Sequence, residues 1–190
     1  MNILVISDTH GHLEKVYDMY EKLKDMTTDG KPIDQIIHCG DYQRDGEAIG
    51  AELALPVTAV TGNCDGCRSR AFNILETPYG NVLVTHGHRE SVNYNLETLY
   101  YLTQENECIC ACFGHTHVPV FETVPPITMI NPGSLTFPRD GTMGSCALLN
   151  LSERGVDGGI YYYEHVCGPV EKKKSAGGFL RRMMNYSDHL

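Results

Sequence analysis

The chain has 190 residues, 42% of them hydrophobic and 21% charged, a composition that supports one globular domain. Its formal net charge is −9, which argues against binding nucleic acid through a broad basic face. No apolar run approaches the ~20 residues of a membrane span, and no export signal is visible. We therefore predict a cytoplasmic protein without a membrane partner, with its eight cysteines reduced.

The first third of the chain alternates strand and helix patterns. Short apolar runs predict strands at Asn2–Ile6, Gln35–His38 and Val57–Val60. Between these runs, helical spacing predicts a helix that ends near Leu23 and a second helix at Gly46–Leu53. This β-α-β-α-β order predicts a parallel, buried sheet.

Beyond residue 70 the pattern changes to short strands separated by turns. Phe72–Glu76 and Val82–Thr85 predict a hairpin, and Ser91 predicts the N-cap of a helix that runs to Gln104. Further strands are predicted at Cys108–Phe113, Val120–Thr123, Thr128–Ile130, Cys146–Leu151 and Gly159–Glu164. We expect two packed sheets with helices outside over residues 1–168. A basic tail, 169–190, follows, for which a loose helix and a role in homo-oligomers both stay open.

Residue types that bind metals follow successive predicted strands: Asp8, His10, Asp41, Asn63, His86, His115 and His117. The carboxyl ends of strands converge in open α/β sheets, so these side chains are expected to meet. Any one of these histidines alone is more typical of a surface position, but seven such residues at strand ends are not. Seven donors are too many for one tetrahedral zinc and too rich in histidine for calcium or magnesium. The set predicts two divalent ions bridged by one carboxylate.

Five motifs, in this order, resemble those of the calcineurin-like metallophosphoesterases: Ser7–Gly11, Gly40-Asp41, Gly62-Asn63, His86–His88 and Gly114–His117. The resemblance covers roughly residues 1–166, and it is strongest to the small bacterial and archaeal phosphodiesterase branch. Asn131–Ser134 resembles a further loop of that branch. It implies an α/β fold, specifically a four-layer αββα sandwich of two mixed sheets flanked by helices. It also implies a metal-dependent phosphoesterase, and a phosphodiesterase above all, that acts on a small phosphorylated molecule.

The resemblance also implies roles for individual residues. One ion is assigned to Asp8, His10 and His117, the other to Asn63, His86 and His115, and Asp41 bridges the two ions. Manganese is the expected metal, with iron, zinc or nickel as alternatives, and a hydroxide bridging the ions is the expected nucleophile. Asp41, Asn63 and His88 are the candidate catalytic residues, and Asn63, His88 and Arg139 are the candidates for binding the phosphate.

Two other interpretations stay open. The first is a non-catalytic protein-binding scaffold on the same fold, similar to the small retromer subunit, although every ligand position is filled here. The second is a zinc-stabilised redox protein, because Cys64 and Cys67 form a C-x-x-C pair. Many larger relatives of the superfamily carry a histidine where Cys64 stands, and that histidine is implicated in stabilising or protonating the leaving oxygen. The resemblance therefore implies that this group is absent here.

Overall fold

The structure, a computed structural model, describes residues 1–66 and 72–168. In chain order these residues form β1 (Asn2–Ile6), α1 (Glu14–Leu23), β2 (Gln35–His38), α2 (Gln43–Leu53), β3 (Val57–Ala59), β4 (Phe72–Leu75), β5 (Asn81–Thr85), α3 (Glu97–Glu105), β6 (Cys108–Cys112), β7 (Val120–Val124), β8 (Ile127–Asn131), β9 (Ser145–Ser152), β10 (Gly155–Tyr162) and α4 (Tyr163–Val166). None of these helices combines the length and the apolarity needed to cross a membrane.

The strands form two mixed sheets of five strands each. The first sheet has the order β10-β9-β1-β2-β3, in which β1, β2 and β3 are parallel and β9 is antiparallel to β1. The second has the order β4-β5-β6-β8-β7, with β5, β6 and β8 parallel and an antiparallel strand at each edge. The predicted pair of mixed sheets is confirmed.

The alternation of side chains along the strands creates the layers. In β1, Ile3 and Val5 face the second sheet and pack in one buried cluster with Val82 and Val84 of β5. Leu4 and Ile6 face the other way, into a cluster with Val16, Met19 and Leu23 of α1. Helix α3 covers the far side of the second sheet through Leu99. Each fully buried aliphatic side chain stabilises this packing by roughly 1.5–3 kcal/mol. The layer order is helix, sheet, sheet, helix, which confirms the predicted αββα sandwich.

Several predicted elements have other bounds in the structure, and the first residues of α3 and β10 differ most from the prediction. The helix predicted from Ser91 begins only at Glu97, because Ser91 has a φ of 56° rather than the extended backbone of an N-cap. Asn95 Oδ1 accepts a hydrogen bond from Glu97 N–H instead. The last strand lies at Gly155–Tyr162, and residues after it form the short α4. The predicted tail, 169–190, lies outside the described residues.

The loops that carry the predicted ligands meet at one edge of the sandwich. Strands β1, β2 and β3 are parallel, so the loops after them leave the sheet on the same side. Asp8 N–H donates a hydrogen bond to Gly40 O at 3.0 Å, which joins the loops after β1 and β2. In the second sheet, Gly114 N–H donates to His86 O at 3.1 Å, which joins the loops after β5 and β6.

Candidate metal centre

Asp8, His10 and His117 come together at the carboxyl end of β1. One donor atom from each residue lies within 4.8 Å of the others. Asp8 is fully buried, and its Oδ2 accepts hydrogen bonds from Ser7 Oγ at 2.6 Å and from His115 N–H at 3.1 Å. Its Oδ1 lies 3.1 Å from His117 Nε2. One carboxylate oxygen is therefore held by the fold, and the other faces the imidazoles.

A second group, formed by Asp8, Asp41 and His86, shares Asp8 with the first group. His86 Nε2 lies 3.4 Å from Asp41 Oδ1 and 4.0 Å from Asp8 Oδ1. The other oxygen of Asp41, Oδ2, lies 3.7 Å from His10 Nε2. The two oxygens of Asp41 thus face imidazoles that belong to different groups.

The hydrogen bonds of His86 show which ring nitrogen is free to bind a metal. Its Nδ1 lies 2.8 Å from Cys39 O, an acceptor only, so Nδ1 carries a proton and donates it. In the neutral ring, Nε2 then holds a lone pair, and the atoms around it are Asn63 Oδ1 at 3.1 Å and the two carboxylates. Acceptors that converge in this way are stable only around a positive charge, either a proton on Nε2 or a cation.

His117 has the same arrangement. Its Nδ1 lies 2.7 Å from Phe137 O and donates to this carbonyl, so that Nε2 points at Asp8. Burial lowers the pKa of His117, but the neighbouring Asp8 carboxylate outweighs it, and the pKa is raised overall. For Asp8 the signs are reversed. Burial raises the pKa of this carboxyl group, but His117 and His86 outweigh burial, and the pKa is lowered overall. The acidic and basic side chains of this group therefore stabilise each other's charged forms.

Two buried atoms in this cluster have no hydrogen-bond partner, Asp8 Oδ1 and His10 Nε2. A buried polar atom left without a partner costs about 1–3 kcal/mol. Both atoms are of types that bind divalent metals, and each faces further donor atoms of the same cluster. The donor set therefore fits a bound cation better than it fits a purely structural network.

Asn63 and His115 lie at the outer side of the cluster. Asn63 is exposed in the loop after β3, and its Oδ1 reaches His86. The His115 ring centroid lies 5.2 Å from that of His86, and its Nε2 accepts a hydrogen bond from Asn93 Nδ2 at 2.8 Å. Burial and His86 lower the pKa of His115, which favours the neutral ring. Because Nε2 accepts from Asn93, the neutral ring carries its proton on Nδ1, so His115 could bind a metal only by giving up this hydrogen bond.

The backbone is strained at most of the predicted ligands. Within residues 1–66 and 72–168, nine non-glycine residues have a positive φ, and five of them are predicted ligands: Asp8, His10, Asp41, His115 and His117. This left-handed conformation costs about 1–2 kcal/mol for an L-residue, although Asp and His adopt it more often than most. Strain of this kind clusters at functional sites, where it aims side chains that a relaxed loop would point elsewhere.

A glycine allows the two sheets to approach each other beside Asp8. A Cβ atom on Gly114 would lie 2.0 Å from Ser7 Oγ and 2.7 Å from Asp8 Oδ2. Both distances are far below van der Waals contact, so no side chain fits at position 114. The glycine before His115 is therefore required by the contact between the loops after β1 and β6.

His88 lies beside the cluster, and Arg139 lies at its rim. The His88 ring centroid lies 5.3 Å from that of His86, and His88 Nδ1 is a buried atom without a hydrogen-bond partner. Burial, His86 and Arg89 lower the pKa of His88. Arg139 is exposed, and its backbone N–H donates a hydrogen bond to the backbone O of His117 at 3.1 Å. The structure thus brings His88 next to the predicted ligands and leaves Arg139 facing solvent.

Comparison with known families agrees with this arrangement. A family profile described as the calcineurin-like phosphoesterase superfamily domain matches residues 1–154. The chain belongs to the calcineurin-like phosphoesterase superfamily. Members of this superfamily are metal-dependent, and the clustered Asp and His side chains are donor types that can bind metals.

Similar proteins are found among small bacterial and archaeal phosphoesterases. The probable metallophosphoesterase YsnB of Bacillus subtilis is 31% identical over 172 residues, which cover 90% of this chain and 95% of YsnB. The phosphodiesterase MJ0936 of Methanocaldococcus jannaschii is 29% identical over 153 residues, 70% of this chain and 83% of that protein. The chain therefore spans most of the length of both relatives.

Two solved structures share the fold. A novel archaeal phosphodiesterase superposes with a TM-score of 0.65 at 25% identity, over 85% of this chain and all of the other. Wild-type Vps29 of Entamoeba histolytica, solved in complex with Zn²⁺, superposes with a TM-score of 0.64 at 19% identity, over 86% of this chain and 99% of the other. The likeness to Vps29 shows the fold alone.

The sequence did not predict a buried hydrogen-bond network that lies next to the predicted ligands. His38 Nε2 donates to Thr9 Oγ1 at 2.9 Å, and Thr9 Oγ1 donates to Asp45 Oδ2 at 2.6 Å. Gly11 N–H donates to the same Asp45 oxygen. The network holds the Asp8–His10 loop against α2. In the sequence, the position of Thr9 between the predicted ligands Asp8 and His10 was the feature that could have indicated this network.

The C-x-x-C pair has only one member among the described residues. Cys64 is exposed, and its N–H donates to Asp41 Oδ1 at 2.9 Å. A hydrogen bond to Asp41 and partial burial raise the pKa of its thiol to about 11. A reactive redox cysteine has a lowered pKa, so this environment does not favour the redox interpretation. Cys67 lies outside the described residues.

Proposed function

We propose that this chain hydrolyses phosphodiesters of small molecules at a centre of two divalent metal ions. One ion is held by Asp8, His10 and His117, and the other by Asn63, His86 and His115. The observation that carries the proposal is the convergence of carboxylate, amide and imidazole donor atoms around His86 Nε2 and Asp8 Oδ1, where Asp8 Oδ1 and His10 Nε2 are buried without a hydrogen-bond partner.

Asp41 lies between the two proposed sets of ligands. Its Oδ2 faces His10, which belongs to the first set, and its Oδ1 faces His86, which belongs to the second. A carboxylate can offer one oxygen to each of two cations. Its position between the two sets supports a bridging role for Asp41, and hence two ions rather than one.

The charge of the loaded centre favours a phosphate substrate. Two divalent ions bring four positive charges, while Asp8 and Asp41 bring two negative ones and the other ligands are neutral. The centre therefore attracts an anion although the whole chain carries a formal charge of −9. When bound, the ions supply a nucleophile derived from water near neutral pH and positive charge for the phosphate oxygens. Manganese is the metal we propose.

His88 and Arg139 extend the proposed phosphate site beyond the ligands. His88 is held beside His86 with an unused ring nitrogen, which suits a hydrogen bond to a phosphate oxygen. Arg139 is a permanent cation next to His117, and a guanidinium suits a phosphate through its planar donors. Preference for diesters rests on the phosphodiesterase MJ0936, which is similar over most of its length.

The alternative is a protein-binding scaffold on the same fold. Metal binding does not separate the two functions, because Vps29 of Entamoeba histolytica was itself solved with Zn²⁺. Hydrolysis does separate them. A scaffold has no need for an intact set of seven donors, whereas this chain retains all seven at one edge of the sandwich.

The test is a metal and activity measurement on one preparation. The purified protein is loaded with Mn²⁺, its metal content is measured, and a panel of phosphomonoesters and phosphodiesters is screened. We expect about two ions per chain, faster turnover of diesters, and loss of both turnover and thermal stability on chelation, restored by Mn²⁺. A protein that holds metal but hydrolyses no ester would support the scaffold instead.

A further inference from the structure

Two exposed aromatic rings stand against the predicted ligand His10. The ring of Tyr42 lies 5.3 Å from the His10 ring, centroid to centroid, at an interplanar angle of 62°. The ring of Phe137 lies at the same distance and at 65°. Tyr42 is 44% exposed and Phe137 is 51% exposed. At these angles neither ring is stacked face to face on the imidazole, and Phe137 makes a further ring contact with His12, at 6.1 Å between the centroids. The exposed part of each ring is open to a ligand.

Both rings are fixed to the metal centre through their backbone. Tyr42 follows Asp41 directly, and it precedes α2 with a φ of 68°, a left-handed conformation that is rare for a bulky residue. Phe137 O accepts the hydrogen bond from His117 Nδ1, and Phe137 N–H donates to Ser134 Oγ at 3.0 Å. The rings therefore keep their place relative to the proposed metal ligands.

The fold itself does not account for these two side chains. A large aromatic side chain stabilises a protein by leaving water, and about half of each ring stays in water here. Tyr42 also keeps a strained backbone. Strain and exposed aromatic surface at the same rim indicate that a ligand completes the burial. The neighbouring phosphate site determines which part of a ligand reaches them.

We propose that Tyr42 and Phe137 form a subsite for a planar aromatic group carried by the substrate, such as the base of a nucleotide. This inference rests on the proposed function, because the phosphate of that substrate lies at the metal centre. Aromatic rings bind bases by stacking regardless of their hydrogen-bonding edges, so the subsite selects planarity rather than one base. Phosphodiesters with two alkyl groups gain nothing from it.

The test compares two phosphates that differ only by the aromatic group. Binding of adenosine 5′-monophosphate and of ribose 5-phosphate to the Mn²⁺-loaded protein is measured by titration calorimetry. Stacking on one ring changes affinity by roughly tenfold. We expect the nucleotide to bind at least about tenfold more tightly than ribose 5-phosphate, and the ratio to fall close to one in the double variant Tyr42→Asn with Phe137→Leu. Asparagine tolerates the left-handed backbone, so the fold is retained.

Tyr79→Asn is the matched control. The exposed fraction of Tyr79, 40%, is similar to that of Tyr42. Tyr79 lies in the turn before β5, however, at the opposite end of that strand from His86. This variant is expected to keep the parent ratio. A parent ratio near one, or a double variant that keeps a tenfold ratio, would overturn the subsite.

Failure of the subsite is distinguishable from failure of the proposed function. If the parent hydrolyses diesters but binds both probes equally, the phosphoesterase stands and the aromatic subsite is wrong. If neither probe binds and no diester is hydrolysed, the proposed function falls and the subsite falls with it. A third titration uses phenyl phosphate, whose aromatic group is a bare ring rather than a nucleotide base. Affinity equal to that of the nucleotide assigns the gain to the ring alone and supports a subsite for planarity. Affinity no better than that of ribose 5-phosphate contradicts such a subsite.

Discussion

Gly62 lies so close to Asp41 that a Cβ atom on residue 62 would stand 2.1 Å from Asp41 Oδ1 and 2.5 Å from Asp41 N. The second atom belongs to the backbone and cannot rotate away. The loop after β3 therefore packs directly on the proposed bridging carboxylate. Asp65 holds the loop there, because Gly62 N–H donates to its Oδ2 at 2.7 Å and Gln43 N–H to its Oδ1 at 2.9 Å.

This contact predicts that Gly62→Ala damages the metal centre although no proposed ligand is replaced. The added methyl group pushes Asp41 and the loop of Asn63 apart, and overpacking of this kind costs about 1–3 kcal/mol. We expect weaker Mn²⁺ binding and at least a roughly tenfold loss of phosphodiester hydrolysis, since small displacements of catalytic groups are costly. Metal content after dialysis and turnover of a diester are measured together.

Gly159→Ala is the control, because a Cβ atom at Gly159 meets nothing within 4 Å. That variant is expected to match the parent in both measurements. Parent-like metal content and turnover in Gly62→Ala would show that the loop after β3 does not need its close packing on Asp41.

Asp41→Asn tests the bridging role itself. Asparagine keeps the shape of the side chain, tolerates the left-handed backbone, and retains an oxygen for the Cys64 N–H bond of 2.9 Å. It removes the negative charge that faces both His10 and His86. We expect one ion per chain instead of two, and a loss of turnover of about 100-fold or more, with the melting temperature of the chelated protein unchanged. Two ions and near-normal turnover would remove the assignment.

The sequence predicts which loops meet better than it predicts how the strands between them pair. Each ligand follows a short apolar strand, and the parallel strands β1, β2 and β3 bring three of those loops to one edge without any knowledge of tertiary contacts. The alternation of Cys108, Cys110 and Cys112 along one predicted strand indicates that the three side chains share a face, and this prediction is wrong. The pairing with β5 shifts between Asn81 and Val82, where the ladder is irregular. Cys108 therefore packs in the cluster under α3, and the other two pack between the sheets.

Other features of the site depend on contacts between distant parts of the chain. Tyr42 and Phe137 are 95 positions apart, and the ring of each contacts the ring of His10. The positive φ values at the ligands likewise follow from the packing of five loops and leave no pattern in the sequence. Composition and periodicity report on local structure, so neither feature was predictable from them.

The buried His38 predicts that acid weakens the fold. Burial lowers the pKa of His38 to about 4, although the nearby Asp8 and Asp45 carboxylates oppose this shift. An unfolded histidine takes up its proton near pH 6.5. Between about pH 6.5 and 4 the unfolded state therefore binds more protons than the native state, and the free energy of unfolding falls as the pH falls. A fully buried group of this kind accounts for a loss of about 3 kcal/mol.

Urea unfolding of the chelated protein, measured from pH 7 to pH 4.5, tests this prediction. The control variant is His38→Gln, whose amide N–H₂ can donate to Thr9 Oγ1 as His38 Nε2 does, but which does not titrate. The parent is expected to lose more stability than the variant over this range. Equal losses in the two proteins would assign the acid sensitivity to other groups, such as Asp8 and His117.

Cys64 predicts how the rate depends on the leaving group. The thiol lies within 4.8 Å of donor atoms of His10 and Asp41, so it faces the proposed substrate site. Because its pKa is raised to about 11, the thiol stays neutral at pH 7 and is a weak hydrogen-bond donor. A positioned general acid contributes about 10²–10⁴-fold, and its absence is felt most with a basic leaving alkoxide. We expect the rate to fall steeply as the pKa of the leaving group rises across aryl and alkyl phosphodiesters.

Replacing the thiol by an imidazole should make this dependence shallower. The Cys64 side chain is exposed, so Cys64→His places a proton donor beside the centre without entering the core. Alkyl diesters should gain the most, by about tenfold or more, and nitrophenyl diesters should hardly change. His88 is the rival donor, since it lies next to His86 with an unused ring nitrogen. His88→Ala in the parent background decides between them. One outcome gives the role to His88: the rate of the parent depends only weakly on the pKa of the leaving group, Cys64→His leaves that dependence unchanged, and His88→Ala makes it steep. In that case His88 supplies the proton, and the idea of a missing acid at position 64 is wrong.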